Sequence, residues 1–405
     1  MARRKAIYFI GQPERIGEAC DQMSWVRNIY PDTEYDLTIV WPVLRPVANQ
    51  AVMDILCRGL PTEQVRSREE LQAVYNKIHQ AHPDVLILND ARYARFVEEF
   101  FAFNCEPRKF IASLTAEELA RGEQIRARLG MPSDAKVVTL HVRSGGYLPH
   151  LSYHSYRDAN ISHYHAAIRY LVDKGYWVVR LGDKSMQKLQ DFPNQVIDTP
   201  FHPLYEPFFD PYFVACSRFY IGVPSGPMGL AHVLGVPKLI TNYYYESIGP
   251  KTGKDLIVHK KYFSEQLGRL LTYEEAITSP VVSFTATHLF EQSGIRLLEN
   301  SSEEILRATW EMDTTLDGTY PHMQEAEQMQ RHIKSIEEKA HVLSMSRSPE
   351  ERGIRMPYYI SYLAKARISH EFIRLNPGFL GHLWPKIQWP TGAAPVIEQE
   401  SVFPS

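Results

Sequence analysis

Cysteine is scarce in this chain, and none of it is arranged as a pair. The four cysteines among 405 residues, Cys20, Cys57, Cys105 and Cys216, are widely spaced and form no Cys-x-x-Cys motif. This spacing argues against a disulfide framework and against a structural zinc site. Buried, reduced thiols are typical of cytoplasmic proteins, so we expect this protein to be cytoplasmic.

Long apolar runs are also absent from the sequence. The apolar stretch over residues 6–10, which follows Arg3, Arg4 and Lys5, is too short for the core of a signal peptide. No stretch approaches the ~20 consecutive apolar residues that cross a bilayer. We therefore expect a soluble protein, and the sequence leaves open a peripheral contact with a membrane.

Neither sign of charge is in large excess. The chain carries 44 lysines and arginines against 47 aspartates and glutamates, a net charge of −3. A dedicated nucleic-acid-binding protein usually has a basic excess, so nucleic acid is not an expected partner. The composition, with 44% hydrophobic and 22% charged residues, is that of a globular protein, and the length predicts two or three domains. The oligomeric state is left open.

Several motifs of common enzyme chemistry are missing. There is no Asp-x-Asp pair to hold a divalent ion on a diphosphate, and the 16 histidines are scattered along the chain. There is also no Gly-x-Ser-x-Gly nucleophile elbow, no phosphate-loop lysine and no Gly-x-Gly-x-x-Gly motif. We therefore expect no bound metal and no resident cofactor, and both ATP hydrolysis and dinucleotide redox chemistry are disfavoured.

What the sequence does contain is a repeated alternation of strand and helix patterns. Continuous apolar segments such as residues 84–90 suit a parallel sheet that is covered on both faces. A capping box, Thr115-Ala-Glu-Glu118, starts a helix that ends at Gly130 and separates two such units. The predicted fold class is α/β, with two doubly wound Rossmann-like domains facing a cleft and C-terminal helices. The predicted segments are an N-terminal domain at 1–113, a helical linker at 114–130, a second domain at 131–318, helices at 319–375 and a Pro/Trp-rich tail at 376–405.

The strongest local signal is the motif Leu140-His-Val-Arg-Ser-Gly-Gly-Tyr147. A predicted strand ends here with His141 and Arg143 in alternation, and ligands of open α/β sheets bind beyond the carboxyl ends of strands. Arginine can hold phosphate oxygens through two parallel bonds, and glycines such as Gly145 allow a close approach of the main chain. The alternative interpretation is a surface arginine that precedes an ordinary turn.

A second motif, Ile221-Gly-Val-Pro-Ser-Gly-Pro227, lies between a predicted strand and a predicted helix. Ser225 and Gly226 stand at the start of that helix, where free N–H groups and the helix dipole favour an anion. Many helices begin with a serine that only caps the first turn, so a simple N-cap is the alternative interpretation.

Other polar residues follow neighbouring strand patterns. Gly182 and Asp183 end one strand, and the aspartate could accept bonds from a ribose or a base, or could lie in an exposed turn. Asn242 begins a run of tyrosines that could stack on a base or a sugar, or could lie in the core. Glu14 and Glu18 follow the first predicted strand, where either could serve as a base or simply be solvated.

Together these motifs resemble a family of bacterial glycosyltransferases found with surface-carbohydrate genes. The resemblance extends over about residues 115–313 and, more distantly, includes the protein O-fucosyltransferase and α1,6-fucosyltransferase group. It is carried by the helix near 114–130 and by four motifs, Leu140-His-Val-Arg-Ser-Gly-Gly-Tyr147, Tyr156-Arg-Asp-Ala-Asn160, Trp177-Val-Val-Arg-Leu-Gly-Asp183 and Phe219-Tyr-Ile-Gly-Val-Pro-Ser-Gly226.

The resemblance implies a fold, a reaction and roles for individual residues. The fucosyltransferases have the two-domain GT-B fold, bind their nucleotide-sugar between the domains and invert the anomeric carbon without a metal. By this resemblance Arg143 would hold the β-phosphate of the donor and His141 would support it. Ser225 and Gly226 would bind the pyrophosphate, and Asp183 would bind the nucleoside. The donor would lie on the second domain and the acceptor on the first.

The sequence therefore predicts a metal-independent, inverting glycosyltransferase. It would move a sugar from a nucleotide-sugar donor to a glycan, lipid-linked or protein acceptor in surface polysaccharide biosynthesis. A carboxylate would deprotonate the acceptor hydroxyl while Arg143 stabilises the departing diphosphate. The candidate bases are Asp158, Glu14 and Glu18. The other predicted donor-binding residues are His141, Gly145, Gly182, Asp183, Ser225, Gly226 and Asn242.

Two other functions fit the same patterns. A sugar-nucleotide 2-epimerase shares the fold and would also use a carboxylate in the cleft, but it would act on the donor without any acceptor. A non-catalytic scaffold of a polysaccharide assembly complex would bind partner proteins and no donor. For the C-terminal helices we expect a brace across the N-terminal domain, and the alternative is a membrane contact through Trp384 and Trp389.

Overall fold

A computed structural model describes most of the chain. Outside the described residues lie the helix that the sequence predicts over 91–103, Cys105, Tyr147, residues 358–363 of the helix that it predicts over 358–375, and the tail beyond 381 with Trp384 and Trp389. The described ranges are 3–42, 47–82, 84–88, 107–146, 149–245, 251–321, 323–346 and 364–381.

The N-terminal part forms a four-stranded parallel sheet in the order β3-β2-β1-β4. Its strands are β1 Arg4–Phe9, β2 Tyr35–Pro42, β3 Thr62–Val65 and β4 Leu86–Leu88, and the described helices that connect them are α1 Ile16–Ile29, α2 Gln50–Leu56 and α3 Arg68–Ala81. The chain adds β2 and β3 on one side of β1 and then places β4 on the other side. The order of strands therefore reverses between β1 and β4.

The remaining elements begin with α4, the helix that links the two sheets. The strands are β5 Val137–His141, β6 Trp177–Arg180, β7 Val196–Asp198, β8 Ser217–Gly222, β9 Lys238–Tyr243, β10 Leu256–His259, β11 Lys261–Ser264, β12 Arg269–Leu270, β13 Ile295–Leu298 and β14 Arg367–Ile368. The helices are α4 Ala116–Arg128, α5 His165–Asp173, α6 Phe209–Ala215, α7 Gly226–Val233, α8 Tyr273–Thr278, α9 Thr287–Gln292, α10 Ser302–Leu316, α11 Gln324–Ser346 and α12 His370–Leu375. Short 3₁₀ helices cover Pro149–Arg157, Ile161–Tyr164, Thr199–Phe201 and Pro280–Ser283.

Seven of these strands make a second parallel sheet in the order β14-β10-β9-β8-β5-β6-β7. The chain moves outward from β5 through β6 to β7, then returns to the other side of β5 with β8, β9 and β10. The strands of both sheets alternate with helices, so the predicted α/β class with two doubly wound parallel sheets is confirmed.

Each face of the second sheet packs into a different core. One face joins α1, α4, α6 and α7 in a core that continues onto the first sheet, and its members include Tyr8, Met23, Ile125, Val179, Phe213, Tyr220 and Met228. The other face packs against α5, α10 and α12, with Val178, Phe219, Ile168, Met312 and Phe372. The two sheets therefore share one continuous apolar core.

Glycines allow α1 and α7 to touch across the junction of the two sheets. A Cβ added to Gly17 would lie 2.8 Å from the Cα of Gly226, closer than real Cβ atoms approach. A Cβ on Gly229 would lie 3.2 Å from the Cβ of Cys20 and 3.3 Å from the carbonyl oxygen of Gly17. Side chains at these positions would force the helices apart, so their small size sets the distance between the two halves.

The C-terminal part differs from the sequence prediction. Only helices were expected after residue 319, but β14 adds a strand to the edge of the second sheet beside β10. The described C-terminal elements pack on this second half, since α11 lies against α8 and α12 lies against α10. A small antiparallel sheet, β12-β11-β13, was also not predicted. Among the described helices, none combines the length and apolar character that a membrane crossing requires.

Candidate functional site

The carboxyl ends of β5 and β8 define the candidate site. These strands are neighbours, with His141 paired to Gly222, and they are the point at which the strand order of the second sheet reverses. In open α/β sheets ligands bind in the crevice at such a reversal. The loops that leave the two strands carry Arg143 on one side and Ser225 on the other.

The first sheet brings its own strand end to the same place. The loop after β1 leads into α1, and the contact between Gly17 and Gly226 sets the start of α1 beside the start of α7. Glu14 and Glu18 therefore lie at the junction with the Ser225 loop. Glu18 is partly buried, 3.5 Å from the guanidinium of Arg15, and accepts a hydrogen bond of 3.4 Å from Gln22.

Arg143 lies partly buried beside Asp158, with 17% and 28% of the two side chains exposed. One guanidinium nitrogen of Arg143 forms an ion pair with the Asp158 carboxylate and also donates to the carbonyl oxygen of His154 at 3.2 Å. Burial lowers the pKa of Arg143 and raises the pKa of Asp158, while each partner's charge opposes that shift in the other. The two predicted site residues thus meet directly, as an ion pair.

Two further cations support this loop, and sequence reasoning gave neither of them a role. Arg157 donates a 2.9 Å hydrogen bond to the carbonyl oxygen of Pro224, which ties the Asp158 loop to the Ser225 loop. Lys260 is buried and donates to the carbonyl oxygens of Tyr156 at 2.9 Å and Asp158 at 2.8 Å. Burial lowers the pKa of Lys260 to about 8. Three cations are therefore near Asp158: Arg143 pairs with its carboxylate, while Arg157 and Lys260 bind main-chain carbonyl oxygens close by.

Glycines shape the floor of the crevice. A Cβ on Gly145 would lie 3.1 Å from Oδ2 of Asp158, and one on Gly146 would lie 2.6 Å from the Cβ of Ser185. Gly182 has a φ of +155°, and a Cβ there would lie 2.3 Å from the sulfur of Met186. The Gly145–146 loop therefore fits between the Asp158 loop and the turn after β6.

Asp183 and His141 lie on this floor, and both side chains are hydrogen-bonded to the main chain. Asp183 accepts a 2.8 Å bond from the amide of Ser185, which closes the turn after β6. Burial lowers the pKa of His141 to about 4, so the ring is neutral, and its Nδ1 donates to the carbonyl oxygen of Leu181 at 3.1 Å. The Nε2 of His141 is then an acceptor.

Ser225 and Asn242 have different surroundings. Ser225 precedes α7 without capping it, and its hydroxyl donates to the carbonyl oxygen of Val223 at 3.2 Å. Asn242 is fully buried with a φ of +50°. Its side chain accepts from the amide of Asn300 at 2.9 Å and donates to the Tyr164 hydroxyl at 3.1 Å. A ligand could reach Asn242 only by disrupting this network.

Metal ligands are not gathered anywhere in the described ranges. No three His, Cys, Asp or Glu side chains there are placed to hold a metal ion. The three described cysteines, Cys20, Cys57 and Cys216, form no disulfide. Among the described residues, the crevice offers a ligand guanidinium groups, main-chain amides and glycine backbone.

Comparisons with known proteins give similar folds at low identity. No family model matches the chain, and no curated protein matches it. A glycosyl transferase of family 9 from Veillonella parvula is 10% identical, with a TM-score of 0.43 over 64% of this chain and 86% of that chain. The ADP-heptose lipopolysaccharide heptosyltransferase II of E. coli is 11% identical, with a TM-score of 0.39 over 63% and 90%. A spinosyn rhamnosyltransferase complexed with thymidine diphosphate is 11% identical, with a TM-score of 0.30 over 60% and 82%.

Proposed function

We propose that the protein is a glycosyltransferase that moves a sugar from a nucleotide-sugar to a glycan, lipid-linked or protein acceptor. One observation carries this proposal. Arg143, Arg157 and Lys260 lie close together around the Asp158 loop, beside the carboxyl ends of β5 and β8. A diphosphate needs such a concentration of positive charge beside main chain that it can approach closely. The motifs that resemble surface-carbohydrate glycosyltransferases contain Arg143 and Arg157.

In this proposal the second sheet holds the donor. Arg143 and Arg157 bind the diphosphate, and the free N–H groups at the start of α7 add partial positive charge. Asp183 faces the nucleoside, and neutral His141 offers its Nε2 as an acceptor to a donor hydroxyl. As the glycosidic bond to the diphosphate breaks, both arginines stabilise the charge that develops on the leaving oxygen. This arrangement needs no metal ion.

The acceptor would approach from the first sheet. A direct displacement that inverts the anomeric carbon needs one carboxylate to take the proton of the acceptor hydroxyl. Asp158 is paired with Arg143, whereas Glu14 and Glu18 belong to the opposite side of the crevice. We therefore favour Glu14 or Glu18 as the base, with Asp158 acting on Arg143.

The test begins with binding and then follows the product. Thermal shifts with GDP, UDP, CMP and dTDP should identify the nucleotide, since a ligand at 100 times its Kd stabilises by about 2.7 kcal/mol. With the donor thus found, Arg143→Ala should lower kcat/KM at least about 30-fold, because losing a buried charged partner costs about 2–5 kcal/mol. Arg143→Lys should recover part of the activity, because it keeps the charge but loses the paired donors.

The matched control is Arg218→Ala. Arg218 also pairs with an aspartate, Asp317, but it lies at the opposite end of β8. This variant should keep both the nucleotide shift and the activity. If Arg143→Ala melts early but binds nucleotide like the unmodified protein, the donor site is not at Arg143. Conversion of the donor without any acceptor would instead identify an epimerase.

A further inference from the structure

Asp158 occupies a position on Arg143 that an anionic ligand would also need. Its Oδ1 accepts from the guanidinium, and its Oδ2 faces Gly145, where an added Cβ would be 3.1 Å away. The carboxylate thus lies between the guanidinium and the glycine loop. In the proposed donor complex these same two features hold a phosphate. The side chain of Asp158 and the diphosphate are therefore competitors for one place.

Hydrogen bonds hold the main chain around Asp158, so its side chain can move away from Arg143 while the backbone keeps its position. Lys260 holds the carbonyl oxygens of Tyr156 and Asp158, and the amide of Ala159 donates to the carbonyl oxygen of Arg143 at 3.2 Å. The side chain of Asp158 is 28% exposed, so rotation can carry its carboxylate into solvent. The backbone frame around Arg143 would persist after that rotation.

The hydroxyl of Ser144, next to Arg143 in the chain, makes no hydrogen bond to the described residues. Its Oγ atom is also buried. A buried hydroxyl without a partner costs free energy, and a ligand phosphate at Arg143 is a group that could accept from it. The loop therefore holds more donor capacity than Asp158 uses.

We propose, on the basis of the proposed donor site, that Asp158 is an intramolecular substitute for the donor's phosphate. It holds Arg143 while the site is empty, and a ligand binds only by displacing it. A diphosphate linked to a sugar carries two negative charges and gains attraction over the single charge it replaces. Displacing Asp158 costs the same for every anion that binds Arg143, so this ion pair lowers the affinity of the empty site for all of them.

The test measures the affinity of two simple probes by calorimetry, inorganic pyrophosphate and inorganic phosphate. Asp158→Asn keeps the size of the side chain and removes its charge. It should lower the Kd for pyrophosphate about tenfold, which corresponds to about 1.4 kcal/mol. The Kd for phosphate should fall by a similar factor, because the same carboxylate must leave for either probe. Asp317→Asn removes the carboxylate of the exposed pair with Arg218 and should change both Kd values less than twofold.

The outcomes separate this inference from the function on which it rests. If Arg143→Ala abolishes pyrophosphate binding but Asp158→Asn binds it no more tightly than the unmodified protein, Asp158 is not a competitor and the donor site stands. Failure of the unmodified protein and of Asp158→Asn to bind pyrophosphate also overturns the inference. If Arg143→Ala binds pyrophosphate normally, the proposed donor site itself is wrong. Tighter binding by Asp158→Asn, lost again in the double variant with Arg143→Ala, supports both.

Discussion

The contact between α1 and α7 can be tested by adding one methyl group. In Gly17→Ala the new Cβ would lie 2.8 Å from the Cα of Gly226. Gly17 lies in α1 and Gly226 in α7, so the new methyl group would press against the backbone of the facing helix. No side chain can turn away to relieve the overlap, so the helices must separate by several tenths of an ångström. Overpacking of this kind costs about 1–3 kcal/mol.

A smaller gain offsets part of that cost. Alanine favours a helix interior by up to about 1 kcal/mol over glycine, but Gly17 is in the first turn, where the benefit is less. We therefore expect a net loss of about 1–2 kcal/mol in the free energy of unfolding for Gly17→Ala. Gly226→Ala should also destabilise the protein, because its Cβ would lie 2.5 Å from Cγ2 of Ile16, on a stiff branched side chain, and 3.1 Å from the main-chain nitrogen of Gly17.

Urea denaturation at equilibrium measures these differences, and Gly11→Ala is the matched control. Gly11 lies in the loop before α1, and an added Cβ there meets nothing within 4 Å. Its unfolding curve should coincide with that of the unmodified protein. If Gly17→Ala and Gly226→Ala both prove as stable as Gly11→Ala, the two helices are not in backbone contact in solution.

Two other predictions concern buried carboxylates, those of Asp210 and Glu311. Burial raises the pKa of Asp210 to about 7, whereas an unfolded aspartate titrates near about 3.9. Between these pH values the folded state keeps a proton that the unfolded state loses. The free energy of unfolding therefore falls as the pH rises from about 4 to about 7. In Asp210→Asn the free energy of unfolding should decline less with rising pH, and the variant should melt at a higher temperature than the unmodified protein at pH 8. If the melting temperatures of the two proteins change with pH in the same way, the raised pKa of Asp210 is wrong. Glu311 on α10 accepts from the Ser369 hydroxyl at 2.5 Å and from the His370 and Glu371 amides at 3.0 Å each. Glu311→Ala should speed hydrogen exchange at these two amides, with Glu311→Gln intermediate, and unchanged exchange would show that Glu311 does not hold α12 in place.

The strands that sequence patterns predicted well are long and apolar. β5, β8 and β9 are almost wholly buried, and their apolar runs end in glycine or polar residues that mark the edge of the sheet. β12 and β14 contain two residues each, too few for any periodicity. Gln330 on α11 donates to the carbonyl oxygen of Ile368 and accepts from its amide, and no local pattern contains this contact between residues 38 positions apart.

The candidate site shows the same division. The motif around Arg143 could be placed at a strand end from sequence, because the strand and the glycines are adjacent in the chain. The strand order could not be read in this way, and neither could the approach of Lys260 to a loop more than 100 residues earlier. Asn242 shows the opposite problem. Its position in the sequence is that of a ligand-binding residue at a strand end. In the structure its side chain is buried and bonded to the amide of Asn300, which lies 58 residues later in the chain.

The core shared by the two sheets also has a consequence for synthesis of the chain. Met23 of α1 and Met228 of α7 belong to the same core, and about 200 residues separate the two helices in sequence. A ribosome that adds about 5–20 residues per second needs about 10–40 s to bridge that interval. During this time the apolar face of α1 has emerged while the helix that covers it does not yet exist. Part of the apolar surface of the N-terminal half therefore stays exposed until α7 has been synthesised. A chaperone would protect the nascent chain most during this interval.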